Sequence, residues 1–230
     1  MLNLCKYLLI SFTLTLTNAA LAQQTDSGIP LDADWKQTVY DFVKENQQHT
    51  AWGLQHSERD YLLALELGQQ EGLEIDLDVL FAAAFLHDMG AFEPYSERGS
   101  DHSQVAADSM AEVLESTSFP MEKLPLVQGA ALAHMYYSAV PDEPHAQVLH
   151  DADTLNFLGA VGITRIISLT TREGMAADLP TAVATLDNMS QQLPASLVLE
   201  TSKQMGTQRS SEMRAFISSL REQSAQGAAL

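Results

Sequence analysis

The sequence predicts an all-α fold in a single domain, on three observations. Apolar residues recur at helical spacing over most of the chain, and residues typical of helix starts and ends separate these stretches. No run of alternating β-branched residues lies between turn signals. The length of 230 residues and the apolar content of 46% suit one globular domain. We therefore expect residues 32–224 to form one helical bundle.

The N-terminal segment, residues 1–22, is expected to be a signal peptide rather than part of the fold. Lys6 precedes an apolar stretch that ends near Thr17, and the small-x-small sequence ALA follows. The apolar stretch is shorter than the roughly 20 residues that cross a bilayer, so we expect no stable membrane insertion. An uncleaved anchor is the alternative. Cleavage after Ala22 makes the protein periplasmic or secreted.

Composition excludes several classes of function. The only cysteine, Cys5, lies within the expected signal, so the mature chain can form neither a disulfide nor a Cys-ligated zinc site. The 30 Asp and Glu against 12 Lys and Arg give a formal charge of −18. That balance argues against binding of a nucleic acid duplex and suits attraction of metal cations, although most of these charges are expected on a solvated surface.

The first half of the chain is predicted to hold three helices after a polar linker, residues 23–31. The predicted helices are residues 32–48, 52–70 and 77–89. Gly72 is expected to stop the second helix, Asp76 to cap the third, and Gly90 to end it. A loop with proline and glycine follows.

The second half is expected to be helical as well. A helix from about residue 102 to 115 starts behind Asp101, and residues 120–137 follow with a proline at their start. Residues 148–171 read as one long apolar segment, in which two glycines permit close helix packing. One or two helices follow Leu179, and residues 225–230 are expected to be a disordered tail.

The stretch FLHDMG contains the first residues that point to chemistry. His87 and Asp88 stand side by side at the end of an apolar helix, where burial of either group unpaired is costly. His56, on the preceding helix, and Asp153, on a later one, are candidate partners. Two imidazoles with two carboxylates suit a divalent ion such as Mn²⁺, Co²⁺, Ni²⁺, Mg²⁺, Fe²⁺ or Zn²⁺.

The order H…HD…D in an all-helical chain resembles the HD-domain metal-dependent phosphohydrolases. His56-x-x-Arg59 resembles the H-x-x-R-V helix of that family, and FAAAFLHDMG resembles its A-a-L-L-H-D-I-G segment. HDADTLNFLGAVGITRI is similar to the D-A-D-R-L-D-x-x-G-A-x-G-I-x-R segment of the YedJ/YpgQ-like branch. MGTQRSSEMRAFISSL is similar to the ending of that branch, so the resemblance extends over residues 35–222.

The resemblance implies a metal site and an activity. It implies that His56, His87, Asp88 and Asp153 are metal ligands; Asp153 matches better than Asp151 because the final ligand of the family directly follows an alanine and starts the D-x-L step. Asp151 is expected to be a cap or a partner behind the ligands. The implied reaction is hydrolysis of a phosphate ester or phosphoanhydride, and the implied partner is a small phosphorylated substrate, with nucleotides among the candidates.

Three further residues are implied to be catalytic. His102 and His134 lie in intervals where two-metal members complete a second site and one-metal members face the substrate phosphate. Arg59 is expected to hold phosphate oxygens through its guanidinium fork. The other available phosphate neighbours have no positional argument, and such residues are usually solvated charges: Arg98, Lys123, Arg165 and Arg172. The other histidines, His49, His145 and His150, are expected to be surface groups.

Departures from the family pattern leave two alternatives open. Thr154 and Asn156 stand where the branch has Arg and Asp, and Ala91 and Phe92 separate the HD pair from Glu93. A di-iron HD-type oxygenase is one alternative, and it requires both histidines of the second set as ligands. A metal-binding module without catalysis is the other.

Overall fold

The computed structural model describes residues 23–171 and 178–230 and confirms the all-α prediction. Within these two ranges the chain forms helices and turns, and its extended pairing is limited to an isolated bridge between Gln24 and Pro30. The helices are α1 (Asp34–Asn46), α2 (Leu54–Glu71), α3 (Leu77–Leu86), α4 (His102–Leu114), α5 (Leu124–Ala133), α6 (Pro144–Asn156), α7 (Gly159–Ser168), α8 (Leu179–Gln192) and α9 (Glu200–Gln223).

The two ends of the chain were assigned separate roles from the sequence. The expected signal peptide lies outside the described residues. Residues 23–31, expected to be a polar linker, lie against the bundle, because Ile29 and Leu31 are buried in the hydrophobic core. Residues 225–230 follow α9 in a series of turns. In the described part of the chain, no helix has both the length and the apolar character needed to span a bilayer.

Helix α3 lies at the centre of the core. Every residue of its 79–86 stretch is buried, and α1, α2, α5 and α6 pack around it. Phe81 and Phe85 stack with their ring centroids 4.3 Å apart, and Trp35 meets Phe81 edge-on at 5.5 Å. A helix that is apolar on all sides is stable only when it is enclosed in this way. Its C-terminal end therefore delivers the next residues into the middle of the protein.

Helix α3 is shorter than the sequence predicted. It ends at Leu86, His87 occupies its C-cap, and a separate 3-10 turn covers Met89–Ala91. The N-terminal prediction is confirmed, since the Asp76 carboxylate accepts the backbone N–H groups of Asp78 and Val79. The backbone leaves helical geometry at Asp88, whose φ and ψ are −95° and 1°, directly after His87.

Gly90 acts through close packing rather than by ending the helix. A Cβ at this position would lie 2.2 Å from the carbonyl oxygen of His102 and 2.7 Å from the backbone nitrogen of Ala106. The 3-10 turn and the first turn of α4 therefore approach each other to a distance that only glycine permits. This contact fixes the position of His102 relative to the HD pair.

We expect Gly90→Ala to destabilise the protein by about 1–3 kcal/mol, because the methyl group forces the backbone of α4 away. Urea unfolding followed by circular dichroism measures the change. Gly129→Ala is the matched control, since a Cβ there meets nothing within 4 Å and the residue is in the helical part of α5. An equal loss of stability in both variants would contradict the packing role of Gly90.

The long segment predicted over residues 148–171 is two helices. Helix α6 ends at Asn156, and α7 begins at Gly159, whose φ of +65° lies in the left-handed region. Gly162 allows close packing as expected, because a Cβ there would lie 2.1 Å from the carbonyl oxygen of Phe157. The apolar pattern continues across the break, so it gave no sign of the bend.

His145 and His150 are buried, so their assignment as surface groups was wrong. His145 Nε2 accepts the backbone N–H of Asp76 at 2.9 Å, at the start of α3. The two ring nitrogens of His150 lie 2.8 Å from the carbonyl oxygen of Ala133 and 3.1 Å from that of Ser196. An imidazole is tolerated in the interior when its N–H group meets a backbone carbonyl oxygen or its acceptor nitrogen meets a backbone N–H.

Asp151 joins α6 to the start of α9, in line with its expected role as a cap. Its carboxylate is buried and accepts the backbone N–H groups of Val198 and Leu199 at 3.0 and 2.8 Å. These two residues immediately precede α9, where N–H groups otherwise lack acceptors.

We expect Asp151→Ala to lower the free energy of unfolding by about 1–3 kcal/mol, because it leaves two backbone donors without an acceptor. Chemical denaturation measures the loss. Asp108→Ala, at an exposed position of α4, is the control and is expected to stay within about 0.5 kcal/mol of the parent protein. Comparable losses in the two variants would show that the bonds to residues 198 and 199 contribute little.

Candidate metal centre

The four predicted metal ligands meet at the centre of the bundle. His56 comes from the first turn of α2, His87 and Asp88 from the end of α3, and Asp153 from α6, and all four are buried. His56 Nε2 lies 3.2 Å from Asp153 Oδ1 and 3.5 Å from Asp88 Oδ2, and His87 Nε2 lies 3.3 Å from Asp88 Oδ2. Residues almost 100 positions apart in sequence are therefore in direct contact.

The spacing of these atoms fits a shared metal ion. Ligand atoms that each lie about 2.1 Å from one ion are roughly 3.0–3.4 Å from their neighbours. Each of His56, Asp60, His87 and Asp153 offers one ligand atom such that all these atoms lie within 4.8 Å of one another. Nitrogen and carboxylate donors together suit the first-row divalent ions. The buried His and Asp side chains are thus able to hold a divalent metal.

Backbone contacts orient two of the histidines toward the centre. His87 Nδ1 lies 2.9 Å from the carbonyl oxygen of Ala84, and His134 Nδ1 lies 2.6 Å from that of Ala131. Metal-binding histidines commonly donate one ring N–H to such a carbonyl, which leaves the other nitrogen free to ligate. His87 Nε2 faces the other donors of the cluster and lies 3.3 Å from Asp88 Oδ2.

His102 and His134 form a second set around the same aspartate. Asp88 Oδ1 lies 3.5 Å from His102 Nε2 and 3.6 Å from His134 Nε2, and the two imidazole nitrogens are 3.3 Å apart. The other oxygen of Asp88 faces His56 and His87. One carboxylate therefore lies between two histidine pairs, an arrangement that can serve two ions as well as one.

The HD pair carries opposite charges. Burial lowers the pKa of His87, but the charge of Asp88 and its hydrogen bond outweigh burial and raise that pKa to about 10. Burial raises the pKa of Asp88, and His87 outweighs it, so the pKa of this carboxyl lies well below its usual range. A metal ion that binds here must displace the proton of His87.

The other two buried imidazoles are neutral at pH 7. Burial, followed by the charge of Arg165, lowers the pKa of His56 to about 3. Burial and the charge of His87 lower the pKa of His134 to about 4. The neutral imidazole is the form that ligates a metal, so these two residues need lose no proton on binding.

A cavity of about 220 Å³ opens beside these residues. Its polar lining consists of His56, Asp88, His102, Asp153 and Arg165, and its apolar lining of Trp52, Ala91, Met135 and Phe157. Of the polar residues only His102 is substantially accessible, with 28% of its side chain exposed. Three of the predicted ligands, His56, Asp88 and Asp153, thus line the same small pocket as a set of apolar side chains.

Arg165 is the cation that lines this cavity, and its burial excludes one of the two alternatives left by the sequence, a solvated charge. It is 4% exposed, its guanidinium carbon lies 4.3 Å from the ring centroid of Phe157, and NH2 lies 3.5 Å from His56 Nε2. Among the described residues its Nε and NH1 have no hydrogen-bond partner. A buried guanidinium with free donors next to a cavity is suited to an anionic ligand.

Arg59, expected to hold phosphate, is placed differently. Its Nε donates to Asn156 Oδ1 at 3.2 Å, and it is not part of the cavity lining. Asp60, the next residue, was missed. It is fully buried within 3.1 Å of His56 Nε2, and it stands where the H-x-x-R-V pattern has valine. That departure was the available signal, because a carboxylate at a core-facing helical position requires a partner.

The HD-domain family matches residues 53–158, which include all the predicted ligands. The matched segment is just under half of the chain, so residues 53–158 are similar to an HD domain. Sixteen chains of known structure resemble it, whereas no curated protein sequence matches.

The structural neighbours align with most of this chain and with most of their own length. YpgQ of Bacillus subtilis, in complex with ADP, is 20% identical, with a TM-score of 0.62 over 82% of this chain and 97% of YpgQ. An HD-superfamily hydrolase of Bacillus thuringiensis is 23% identical, with a TM-score of 0.60 over 83% and 97%. A predicted HD-superfamily hydrolase of an uncultured Thermotogales bacterium is 23% identical, with a TM-score of 0.57 over 82% and 90%. At these identities the likeness establishes a shared fold.

Proposed function

We propose that the protein is a metal-dependent phosphohydrolase that cleaves a phosphate ester or phosphoanhydride. The observation that carries this proposal is the adjacency of a buried His and Asp ligand set and a buried arginine with free donors, both facing one cavity. The hydrolase names of two neighbours and the ADP complex of YpgQ support it.

In this proposal His56, His87, Asp88 and Asp153 hold the ion, which supplies Lewis acidity and lowers the pKa of bound water. Asp88 and Asp153 lie at the cavity wall, where a carboxylate oxygen can orient the attacking water toward phosphorus. Burial raises the pKa of both carboxyl groups, but the contacts of Asp88 with His87 and of Asp153 with His56 outweigh burial and keep both groups anionic.

In this proposal Arg165 and the second histidine set, His102 and His134, act on the substrate. Arg165 donates to the phosphate oxygens, the role expected of Arg59 from the sequence, because Arg165 lines the cavity. His102 is partly exposed at the wall and can protonate the leaving group. His134 is fully buried and held by Ala131, so it acts as a ligand or as support for His102.

Cavity size narrows the substrate class. A volume of 220 Å³ lies below the roughly 300–1,000 Å³ that enclose a complete drug-sized ligand. The cavity therefore suits a phosphate group, and the rest of a larger substrate molecule would lie outside the cavity. A small phosphorylated compound fits this description, and a nucleotide is one candidate.

A broad assay tests the proposal. Purified protein is stripped of metal, reloaded with Mn²⁺, Co²⁺, Ni²⁺, Mg²⁺, Fe²⁺ or Zn²⁺, and incubated with p-nitrophenyl phosphate and with nucleoside mono-, di- and triphosphates. We expect phosphate release that depends on the added ion. Metal binding without cleavage of any substrate would leave the protein a metal-binding module and overturn the hydrolase proposal.

A di-iron oxygenase is the second candidate, because both histidines of the second set face the same oxygen of Asp88. Two bound iron ions per chain together with substrate-dependent O₂ consumption would favour it over hydrolysis. Phosphate release in the absence of O₂ would support hydrolysis and contradict the oxygenase.

We also propose that the protein is exported, on the basis of the basic, apolar and small-residue order of residues 1–22. N-terminal sequencing of the protein from a periplasmic or culture fraction tests this. A first residue at Gln23 is expected, and an intact Met1 in every fraction would contradict it.

A further inference from the structure

Asp60 is a buried carboxylate at the centre that the predicted ligand set does not use. It lies one helical turn after His56 on α2 and is fully inaccessible. Its Oδ2 lies 3.1 Å from His56 Nε2 and 3.7 Å from His87 Nε2. The same oxygen has no hydrogen-bond partner among the described residues.

The surroundings of Asp60 satisfy only one of its oxygens. Asn156 Nδ2 donates to Oδ1, and Asn156 is itself held by the carbonyl oxygen of Ala152 at 3.2 Å and by Arg59 Nε at 3.2 Å. The amide is thus fixed from two sides and holds the carboxylate in one orientation. A buried carboxylate with an unmatched oxygen is costly unless a cation meets it.

We infer that Asp60 is a further ligand of the metal ion held by His56, His87 and Asp153, with Asn156 as its positioning residue. This inference rests on the proposed metal centre and specifies its composition. Oδ2 of Asp60 is then the oxygen that binds the ion, and Oδ1 is the oxygen that the amide holds. The arrangement is a carboxylate ligand supported by a hydrogen bond from behind.

Asp60 and Asn156 depart from the family pattern as a pair. The pattern has valine at the position of Asp60 and aspartate at that of Asn156, whereas here the carboxylate stands on α2 and the amide on α6. Two carboxylates at these positions would face each other in the interior and repel. An amide at position 156 removes that repulsion and supplies a donor to Asp60.

The added carboxylate changes which ions the centre prefers. Asp60 adds a second carboxylate to the donors of His56, His87 and Asp153, so the proportion of oxygen donors at the ion rises. Carboxylate-rich sites suit harder ions such as Mn²⁺ and Mg²⁺ better than imidazole-rich sites do. We expect the protein to favour Mn²⁺ relative to Zn²⁺ more strongly than a variant without the Asp60 charge.

The test is the isosteric variant Asp60→Asn, which removes the charge and retains an oxygen that can accept from Asn156. Calorimetric titration with Mn²⁺ and with Zn²⁺ gives the two affinities. We expect the affinity for Mn²⁺ to fall by about 100-fold or more. Loss of a residue that only supports a ligand usually lowers metal affinity by about 10–100-fold. Zn²⁺ binding should weaken less. Glu66→Gln, an exposed charge removal on α2, is the matched control and should leave both affinities unchanged.

Thermal unfolding provides a readout that is independent of activity. In EDTA, Asp60→Asn should have a Tm at or above that of the parent protein, because it removes a buried charge. The rise in Tm on adding Mn²⁺ should shrink. A purely structural Asp60 predicts the opposite result, a lower Tm in EDTA with an unchanged rise.

The outcomes separate this inference from the metal centre itself. If Asp60→Asn binds Mn²⁺ and Zn²⁺ as tightly as the parent protein does, Asp60 is not a ligand and the inference is overturned. The proposed metal centre is then still supported, because the parent protein binds the ions. If the parent protein binds neither ion, the proposed metal centre is contradicted, and the inference about Asp60 is contradicted with it.

Discussion

We expect His87→Ala and Asp88→Ala each to abolish metal uptake. His87 contributes an inward-facing nitrogen, and Asp88 contributes oxygens to both histidine pairs, so each substitution removes a donor from the centre of the cluster. Metal per chain, measured by mass spectrometry after dialysis against Mn²⁺ or Zn²⁺, should fall from at least one ion in the parent protein to the background of the assay.

Both substitutions leave space in a buried region, so folding must be checked in the same samples by circular dichroism. Asp88→Asn is the less disruptive companion, because it preserves the size of the side chain and removes the charge. Asp108→Ala, exposed on α4, controls for loss of a carboxylate elsewhere. Unchanged metal content in folded His87→Ala and Asp88→Asn would show that the ion is bound at another place.

Arg165→Met is expected to lower kcat/KM by about 100-fold or more, the usual effect of removing a donor from a developing negative charge. Methionine can still pack against Phe157, but its side chain has no hydrogen-bond donor. Initial rates on the best substrate of the phosphate screen measure the effect, with metal content determined in parallel to show that the centre is still loaded.

Arg59→Met is the matched comparison, because Arg59 is an arginine close to the centre but outside the cavity lining. We expect its kcat/KM to fall less than that of Arg165→Met. The reverse order would support the phosphate-holding role predicted for Arg59 from the sequence and would remove Arg165 from the proposed mechanism.

Much of the fold was predictable because helix ends carry local signals. Asp76 and Asp101 each accept an N–H group at the start of their helices, and Gly72 ends α2 with a φ of +67°. These signals depend on neighbouring residues alone. The sequence could not reveal the break before α7, because the apolar pattern runs through it.

The same limit applies to the site. His56, His87, Asp88 and Asp153 were found from their order and from their resemblance to a family pattern. Arg165 matches the final R of the G-A-x-G-I-x-R pattern, but the pattern alone does not show that this residue is buried beside His56 and lines the cavity. A motif can name such a residue, whereas its burial and its contacts are recognised only in the structure.

The spread of the ligands along the chain has a consequence for folding. An ion held by His56 and Asp153 joins segments of the chain separated by roughly 100 residues, and so acts as a removable cross-link. Exported proteins often gain such a constraint from disulfides, which a mature chain without cysteine cannot form. In the proposed centre a metal ion supplies such a constraint, so we expect removal of metal to lower the stability of the fold as well as the activity.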